Sequence, residues 1–367
     1  MPKYAQWLAE GMRNRGHDVQ IMRPEPNVYK LPVPVSLKKW LGYIDQYIIF
    51  SKGLKKMVSK MSNDTLYVVT DHALGPYVPI IEKSKHIIHC HDFLAQRSAL
   101  GLIAENPTSS TGKIYQKFIR KGYSKGNNFI SISKKTEDDL LFFLKNDKPH
   151  FSAVVYNSLN QDIHPLDINQ SRETITEQIG RDVSEGYILH VGGNQWYKNR
   201  PGVIKIYNSL RNKNIELPLV MIGPEPSVKI INEKDKSPYK NDIHILNNVS
   251  DNILKKAYSG ASIFVFPSLA EGFGWPIIEA MASGCFVVTT NEAPMNEVAG
   301  EAALLIDKMP QTEQEKWADL SADKIISNLD KKEQYIKSGL ENVKRFDSKK
   351  TLDKIEVIYK KIVEETL

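Results

Sequence analysis

The sequence predicts an α/β protein of two domains with parallel sheets. Apolar, strand-like runs alternate with helical segments along the chain, which is the pattern of parallel strands joined by crossover helices. The chain has 367 residues, which is long for one hydrophobic core, so two domains are expected. Residues 261–284 show the repeating unit in full, with a buried strand, a glycine-rich turn, a proline and an apolar helix.

Five strands are predicted in each half of the chain. They are Val19–Met22, Leu66–Val69, His86–Cys90, Phe129–Ser133 and Ala153–Tyr156 in the first half, and Tyr187–Val191, Leu217–Ile222, Ile243–Leu246, Ser262–Phe266 and Phe286–Thr290 in the second. The polar segment 161–185 separates the two sets. We therefore place the first domain at 1–160 and the second at 161–345, followed by a charged, helical end at 346–367.

Composition limits the class of protein. Hydrophobic residues make up 41% and charged residues 25%, as in ordinary globular proteins. The sequence lacks an apolar run of about 18 residues, and its first residues are polar, so we expect neither a transmembrane helix nor a signal peptide. The two cysteines, Cys90 and Cys285, lie in apolar runs, so we expect buried thiols in a reducing cytoplasm.

Positive charge is concentrated in the first domain. Residues 1–160 carry 23 Lys and Arg against 13 Asp and Glu, whereas the remainder carries 26 against 30. Lysines lie beside apolar residues between Trp40 and Ile48, a combination that suits peripheral contact with an anionic membrane at its cytoplasmic face. An unspecialised, solvated surface is the alternative. No nucleic-acid-binding motif accompanies the charge, so no nucleic acid partner is expected.

Two glutamates, Glu271 and Glu279, are separated by seven residues around a glycine-rich turn. Pro276 suits the first turn of a helix, so Glu271 lies on the loop and Glu279 about one turn into the helix. Backbone amides from Gly272 to Trp275 lie at the positive helix end, where phosphate binds readily. One carboxylate would hold a sugar and the other a ribose. An ordinary strand–helix unit with two solvated glutamates is the alternative.

The segment Glu271-Gly272-Phe273-Gly274-Trp275-Pro276, with Glu279, resembles the signature of the retaining glycosyltransferases of family 4. The resemblance is strong over 187–307 and weaker before that. It implies the GT-B fold, with two Rossmann-like, doubly wound parallel-sheet domains facing across a cleft and a last helix that crosses back to the first domain. It also implies donor binding by the loop from Gly272 to Trp275.

A second segment, residues 187–200, resembles the first turn of the family's donor domain. Lys198 matches the lysine that binds the nucleotide diphosphate, and a solvated loop lysine is the alternative. Gly193 and Asn194 belong to the same donor-binding turn. They stand where many relatives have an arginine, and Arg200 is a candidate substitute at a different spacing.

The resemblance implies roles for two further residues. His91 follows a strand, at the place of the family's histidine that meets the donor sugar, with Asp92 as the expected partner that fixes its tautomer. A packed histidine at a strand end is the alternative. Val249 lies in the loop that walls the nucleobase in relatives. Asp71 and His72 either line the acceptor cleft or have only a loop role.

The first residues depart from the family pattern. In the family, a strand and a Gly-Gly loop come before the first helix, whereas this sequence starts with the helical pattern itself. We therefore expect the first strand to be missing from the domain at 1–160, which alters the acceptor-side loop.

The resemblance implies retaining transfer of a hexose from a UDP- or GDP-linked sugar to a saccharide acceptor. Glu271, His91 and Lys198 are the expected catalytic residues, with Glu271 positioning the hexose and Glu279 holding the ribose. A basic first domain with apolar helix faces favours a lipid-linked acceptor at the cytoplasmic membrane, as in O-antigen, capsule or exopolysaccharide synthesis. No Asp-x-Asp pair in the usual context is present, so neither a metal nor any cofactor besides the donor substrate is expected.

Two alternatives remain open. One is transfer to a small soluble acceptor. The other is a catalytically idle GT-B protein that binds a sugar nucleotide and supports another transferase.

Overall fold

The computed structural model describes residues 2–145, 148–159 and 162–364. It divides the chain into two compact units, one made of Met1–Tyr156 with Lys349–Leu367 and the other of Asn157–Ser348. The first division lies four residues before the boundary placed at 160/161. The Leu159 amide donates a hydrogen bond of 2.8 Å to the Phe346 carbonyl, which joins this segment to the second unit.

The strands of the described chain all belong to two sheets. They are β1 (Tyr67–Val69), β2 (His86–Cys90), β3 (Asn128–Ser131) and β4 (Phe151–Val154) in the first unit, and β5 (Ile188–Val191), β6 (Leu219–Gly223), β7 (Ile243–Asn247), β8 (Ile263–Phe266), β9 (Val287–Thr290) and β10 (Leu304–Ile306) in the second. Every pairing within the sheets is parallel, which confirms the predicted α/β class.

The described chain contains sixteen α-helices. They are α1 (Pro2–Arg13), α2 (Val35–Ile44), α3 (Ser51–Val58), α4 (Val78–Ile81), α5 (Leu94–Ala99), α6 (Ser110–Tyr123), α7 (Lys134–Leu144), α8 (Ile168–Ile179), α9 (Arg200–Asn212), α10 (Val228–Lys236), α11 (Asp251–Gly260), α12 (Trp275–Ala282), α13 (Met295–Ala299), α14 (Gln314–Ile326), α15 (Lys332–Asn342) and α16 (Ser348–Glu364). A π-helical segment, Asp45–Phe50, connects α2 to α3. None of the helices described here is both long enough and apolar enough to span a bilayer.

The first unit has strand order β1-β2-β3-β4 and buries both faces of its sheet. Because side chains alternate along a strand, Ile87 and Ile88 pack into different clusters. Ile87 joins residues of α1 and α16, including Leu8 and Ile355, whereas Ile88 packs with residues of α4, α6 and α7. The last helix therefore completes the core of the first unit.

The predicted strand Val19–Met22 is wrong, because the structure has no strand in this segment. Among the described strands β1 pairs only with β2, so residues 19–22 do not join the outer edge of this sheet. The Val19 carbonyl instead accepts hydrogen bonds from Nε and Nη2 of Arg13 at 3.2 and 2.7 Å. In the described residues, no strand comes before α1.

The second unit has strand order β10-β9-β8-β5-β6-β7. Its first strand, β5, lies in the middle of the sheet with β8 on one side and β6 on the other. The strand order reverses there, and ligands of open α/β sheets bind at such a point, outside the carboxyl ends of the strands. The other predicted strands lie within two residues of their observed bounds, and β10 was not predicted.

Candidate functional site

The loops that follow β5 and β8 are joined by hydrogen bonds. The Leu269 amide donates to the Tyr197 carbonyl at 2.7 Å, and Asn199 Nδ2 donates to the Pro267 carbonyl at 2.9 Å. These bonds fix the loop before α9 against the loop before α12. Residues far apart in the sequence therefore meet at one edge of the sheet.

Asn199 also begins α9. It has a left-handed backbone with φ 51°, and its Oδ1 accepts a hydrogen bond of 3.3 Å from the Gly202 amide. Asparagine tolerates this conformation better than most residues and is a favoured N-cap. The cap places Lys198 immediately before the helix.

Lys198 and Glu271 form an ion pair at the centre of this edge. Lys198 Nζ lies 2.7 Å from Glu271 Oε1, which also accepts a hydrogen bond of 2.8 Å from Ser268 Oγ. The two side chains are only 14% and 8% exposed. The Lys198 ammonium also lies 5.0 Å from the centre of the Phe266 ring, within the range of a cation–π contact.

Glu279 lies on α12 and is held from α11. Tyr258 Oη donates a hydrogen bond of 3.0 Å to Glu279 Oε2. Burial raises the pKa of Glu279, while this hydrogen bond and the nearby charge of Lys198 act in the opposite direction. Lys198 thus acts electrostatically on both predicted carboxylates.

The turn between these glutamates leads into α12 without a side-chain N-cap. Gly274 precedes α12 with φ 101°, a conformation that favours glycine, and no side chain caps the helix. Phe273 is buried against Trp275 and Phe346, with ring centres 5.6 Å apart in each case. Trp275 is 39% exposed, and its Nε1 donates to the Ser158 carbonyl at 3.2 Å.

Gly193 and Asn194 lie in the turn after β5, as predicted from the sequence. The side chain of Asn194 is engaged within the protein, since its Oδ1 accepts a hydrogen bond of 2.7 Å from Arg200 Nη1. Its Nδ2 donates to the Glu225 carbonyl at 2.6 Å. Donor binding by this turn would therefore use backbone amides. Val249 is half-buried in the loop after the edge strand β7.

His91 lies in the first unit, directly after β2, and is 4% exposed. Its Nε2 donates to the Thr70 carbonyl at 2.9 Å, and its buried Nδ1 has no hydrogen-bond partner within the described residues. The expectation that Asp92 fixes this ring is wrong. Asp92 Oδ1 instead accepts from the Leu94 amide at 3.0 Å, in the turn that precedes α5. Burial lowers the pKa of His91.

Asp71 and His72 lie beside His91 at the end of β1. Asp71 Oδ1 accepts from the Ala73 amide at 2.9 Å and lies 3.3 Å from His72 Nδ1. Burial by itself raises the pKa of Asp71, but His72, the Ala73 amide and His91 together hold it below its usual value. The three side chains form a polar group at the carboxyl edge of the first sheet.

Sequence reasoning missed two residues of the site in the second unit. Ser268 lies next to the predicted motif, and a serine three residues before Glu271 was a usable local signal. Tyr258 contacts Glu279 across 21 positions of the sequence and between two helices, for which no local pattern exists.

Comparison with known proteins identifies one family. Residues 171–341, all within the second unit, match the family described as Glycosyl transferases group 1. This match agrees with the predicted resemblance.

Curated relatives match parts of the chain. One segment is 35% identical over 127 residues to O-antigen chain mannosyltransferase B from Escherichia coli, covering 34% of this chain and 33% of the relative. Another is 28% identical over 207 residues to O-antigen chain mannosyltransferase RfbU from Salmonella typhimurium, covering 55% of this chain and 53% of the relative. The matches thus span about a third and about half of these relatives.

The fold has a counterpart among solved structures. A sucrose-phosphate synthase from Thermosynechococcus elongatus aligns with a TM-score of 0.70 at 16% identity, covering 98% of this chain and 92% of that one. At this identity the likeness shows the fold alone. It confirms the predicted GT-B class.

Proposed function

We propose that this chain, whose residues 171–341 match the family described as Glycosyl transferases group 1, transfers a hexose from a UDP- or GDP-linked sugar to a saccharide acceptor. The observation that carries the proposal is the convergence of Lys198, Glu271 and the start of α12 beside the central strands β5 and β8. A cation and a positive helix end are suited to a diphosphate, and carboxylates are suited to sugar hydroxyls.

Each side chain has a separate task in this proposal. Lys198 and the amides before α12 bind the leaving diphosphate. Glu279, fixed by Tyr258, accepts hydrogen bonds from the ribose hydroxyls. Glu271 accepts hydrogen bonds from the hexose and positions it, so its contribution is orientation more than proton transfer.

Retention at the anomeric carbon is part of the proposal. The acceptor oxygen forms its bond to the anomeric carbon on the face from which the nucleotide diphosphate leaves, and the acceptor proton passes to the departing phosphate. Lys198 stabilises the negative charge that develops on that phosphate. The positive charge of Lys198 and of the helix end serves where other transferases use a metal ion, so we propose no metal requirement.

His91 is proposed to contact the donor sugar. Its Nε2 is held by Thr70, so Nδ1 is the ring atom without a partner in the described chain. A neutral imidazole with this tautomer accepts a hydrogen bond from a hydroxyl at Nδ1. Asp71 and His72 lie beside it and would extend the polar surface.

The relatives support a glycan acceptor, since both are described as O-antigen chain mannosyltransferases. We propose a surface polysaccharide precursor linked to lipid. Such an acceptor requires the enzyme to work at a membrane surface on the cytoplasmic side.

An exposed apolar patch on the first unit supports this acceptor. It is formed by α2 and α6, where Val35, Trp40 and Ile114 are 88%, 63% and 70% exposed. Tyr43 stacks on Tyr115, which joins the two helices at a ring distance of 5.9 Å. Lysines of the same helices, including Lys38, Lys39, Lys113 and Lys117, suit anionic lipid headgroups.

Binding to vesicles tests the patch. Sedimentation with vesicles of phosphatidylglycerol and phosphatidylcholine should recover the protein, and Trp40→Ser with Ile114→Ser should release it. Exposed Leu320 on α14 of the second unit gives the matched control, Leu320→Ser, which should bind like wild type. Equal binding by all three proteins would remove the membrane proposal and leave a soluble acceptor.

A panel of nucleotide sugars tests the function itself. Preferential stabilisation by one UDP- or GDP-sugar is expected in thermal unfolding, because a ligand that binds only the folded state raises its stability. Slow hydrolysis or transfer of that sugar is then expected, and Glu271→Ala should abolish it while the protein stays folded. Binding without turnover would favour the idle partner, and no binding across the panel would reject the proposal.

A further inference from the structure

Arg200 is the largest side chain that the structure buries completely, with 1% of its surface exposed. It is the first residue of α9. Within the described residues no carboxylate pairs with it, and its Nε and Nη2 lack hydrogen-bond partners. Buried charges are ordinarily paired, because removal from water disfavours the charged form. This unpaired cation therefore requires a physical reason.

The remaining nitrogen of Arg200 joins two loops at the carboxyl edge of the sheet. Nη1 donates to Asn194 Oδ1 at 2.7 Å in the turn after β5, and lies 3.4 Å from the Pro224 carbonyl after β6. Asn194 continues the connection to the Glu225 carbonyl. Arg200 thus fixes the turn after β5 through its hydrogen bond to Asn194.

The same network reaches a third loop. Glu225 Oε2 accepts a hydrogen bond of 2.5 Å from Asn247 Nδ2, at the end of β7. Asn247 lies two residues before Val249, the predicted wall of the nucleobase site. The carboxylate of Glu225 therefore accepts from an amide, and it makes no direct ion pair with Arg200 in the described residues.

The two basic residues near Arg200, His190 and Lys198, do not offset its charge. His190 lies under the same turn, with its Nδ1 2.9 Å from the Val265 carbonyl and its Nε2 without a partner. Burial, together with the charges of Arg200 and Lys198, lowers the pKa of His190 to about 3, so the ring is neutral. Within the described residues Lys198 pairs with a carboxylate, that of Glu271, whereas Arg200 does not.

We infer that Arg200 is a positioning residue for the donor diphosphate, bound at the turn formed by Gly192, Gly193 and Asn194. The negative charge of the diphosphate balances the positive charge of Arg200. The inference rests on the proposed function. The guanidinium contributes a positive field to the phosphate site without touching the ligand, and holds Asn194 so that the backbone amides of the turn face the phosphates. A dianion bound at this turn supplies the negative charge that no carboxylate of the described chain places beside Arg200.

Calorimetric binding of UDP and GDP, compared with UMP and GMP, tests the inference. In Arg200→Met we expect the affinity of the diphosphate that wild type binds to fall roughly 10- to 100-fold, with a clearly smaller loss for its monophosphate. The dependence of diphosphate binding on salt should also weaken, because a positive charge has been removed. Equal losses for diphosphate and monophosphate would reduce Arg200 to a structural role and overturn the inference.

Arg211→Met is the matched control. Arg211 lies on the same helix and is paired with Asp242 at 2.6 Å, so its loss should leave diphosphate affinity unchanged. A fall equal to that of Arg200→Met would also count against the inference.

Two milder variants keep the test decisive if Arg200→Met does not fold. Arg200→Lys retains the charge and should keep most of the preference for diphosphate over monophosphate. Asn194→Ala retains the guanidinium and should weaken diphosphate binding only several-fold. If Arg200→Met does not fold, unchanged diphosphate binding in Asn194→Ala would reject the inference alone, whereas a wild-type protein that binds neither UDP nor GDP would reject the proposed function as well.

Discussion

Lys198 and Glu271 lie 73 positions apart in the sequence, yet their Nζ and Oε1 atoms are 2.7 Å apart in the structure. Both residues were predicted to hold the donor, the lysine through its phosphate and the glutamate through its sugar. The pair keeps two largely buried charges neutralised when no ligand is present. Donor binding would give each charge a new partner, so the two roles can be separated by mutation.

Lys198→Met tests the phosphate role. The affinity for UDP or GDP should fall about 10- to 100-fold, because a hydrogen bond to a charged group contributes roughly 1.5–3 kcal/mol. Isothermal titration calorimetry gives the affinities. Lys205→Met is the matched control, since Lys205 pairs with Glu233 at 2.9 Å elsewhere in the unit and should leave binding unchanged. A similar loss in both variants would indicate a general charge effect.

Glu271→Gln tests the sugar role. The variant should bind the nucleoside diphosphate about as well as wild type, because Lys198 is freed from its partner and keeps its charge. Its extra affinity for the nucleotide sugar over the nucleotide should be lost, and transfer should fall by about 100-fold or more. Competition binding and initial rates measure the two quantities. A variant that still prefers the sugar nucleotide would show that Glu271 does not contact the hexose.

Glu279→Gln tests the ribose role. The donor KM should rise about 10- to 100-fold, because buried hydrogen bonds to a carboxylate are lost. A donor without the ribose 2′-hydroxyl should bind wild type less well and should bind the variant with no further loss. Tyr258→Phe should raise KM by a smaller factor, since Glu279 keeps its charge but loses the phenol that fixes it. Additive losses from the deoxy donor and Glu279→Gln would contradict the assignment.

Gly223→Ala tests the close approach of the loops after β5 and β6. A Cβ at this position would lie 2.2 Å from the Gly192 carbonyl oxygen, which is backbone and cannot rotate away. We expect a loss of about 2–3 kcal/mol in the free energy of unfolding, measured by urea denaturation. Gly53→Ala on α3 meets nothing within 4 Å and should be neutral or stabilising by up to about 1 kcal/mol.

His89 predicts a dependence of stability on pH. The ring is buried between the hydroxyls of Tyr4 and Tyr359, each 2.8 Å from a ring nitrogen, and burial lowers the pKa of His89 to about 3. The unfolded chain, with an ordinary pKa near 6.5, binds the proton first, so stability falls as the pH drops below about 6.5. From pH 7 to pH 5 the loss is about 2 kcal/mol.

Urea denaturation at several pH values measures this loss. His89→Gln removes the titrating group, so it should be less stable at pH 7 and should show a flatter pH dependence. A variant with the same slope as wild type would show that another group causes the acid sensitivity. His190 in the second unit, with its pKa also lowered to about 3, should make its own contribution to the pH dependence of stability.

Much of the fold followed from local patterns. The strand His86–Cys90 was predicted with its observed bounds, because a short apolar run between turn residues is typical of a buried strand. Val19–Met22 has the same local character but no neighbouring strand to pair with. β10 (Leu304–Ile306) was not predicted.

The sequence was enough to name residues of the candidate site, but not the contacts between them. The sequence by itself determined the glycine turn, the helix start and the identities of Lys198, Glu271 and Glu279, since these depend on neighbours a few positions away. Only the tertiary structure decided that β5 lies beside β8, that Tyr258 holds Glu279, and that Arg200 is buried with no carboxylate partner among the described residues. The reason is that strand order and helix packing are set by the burial of whole elements against one another, and this determines which distant loops share an edge.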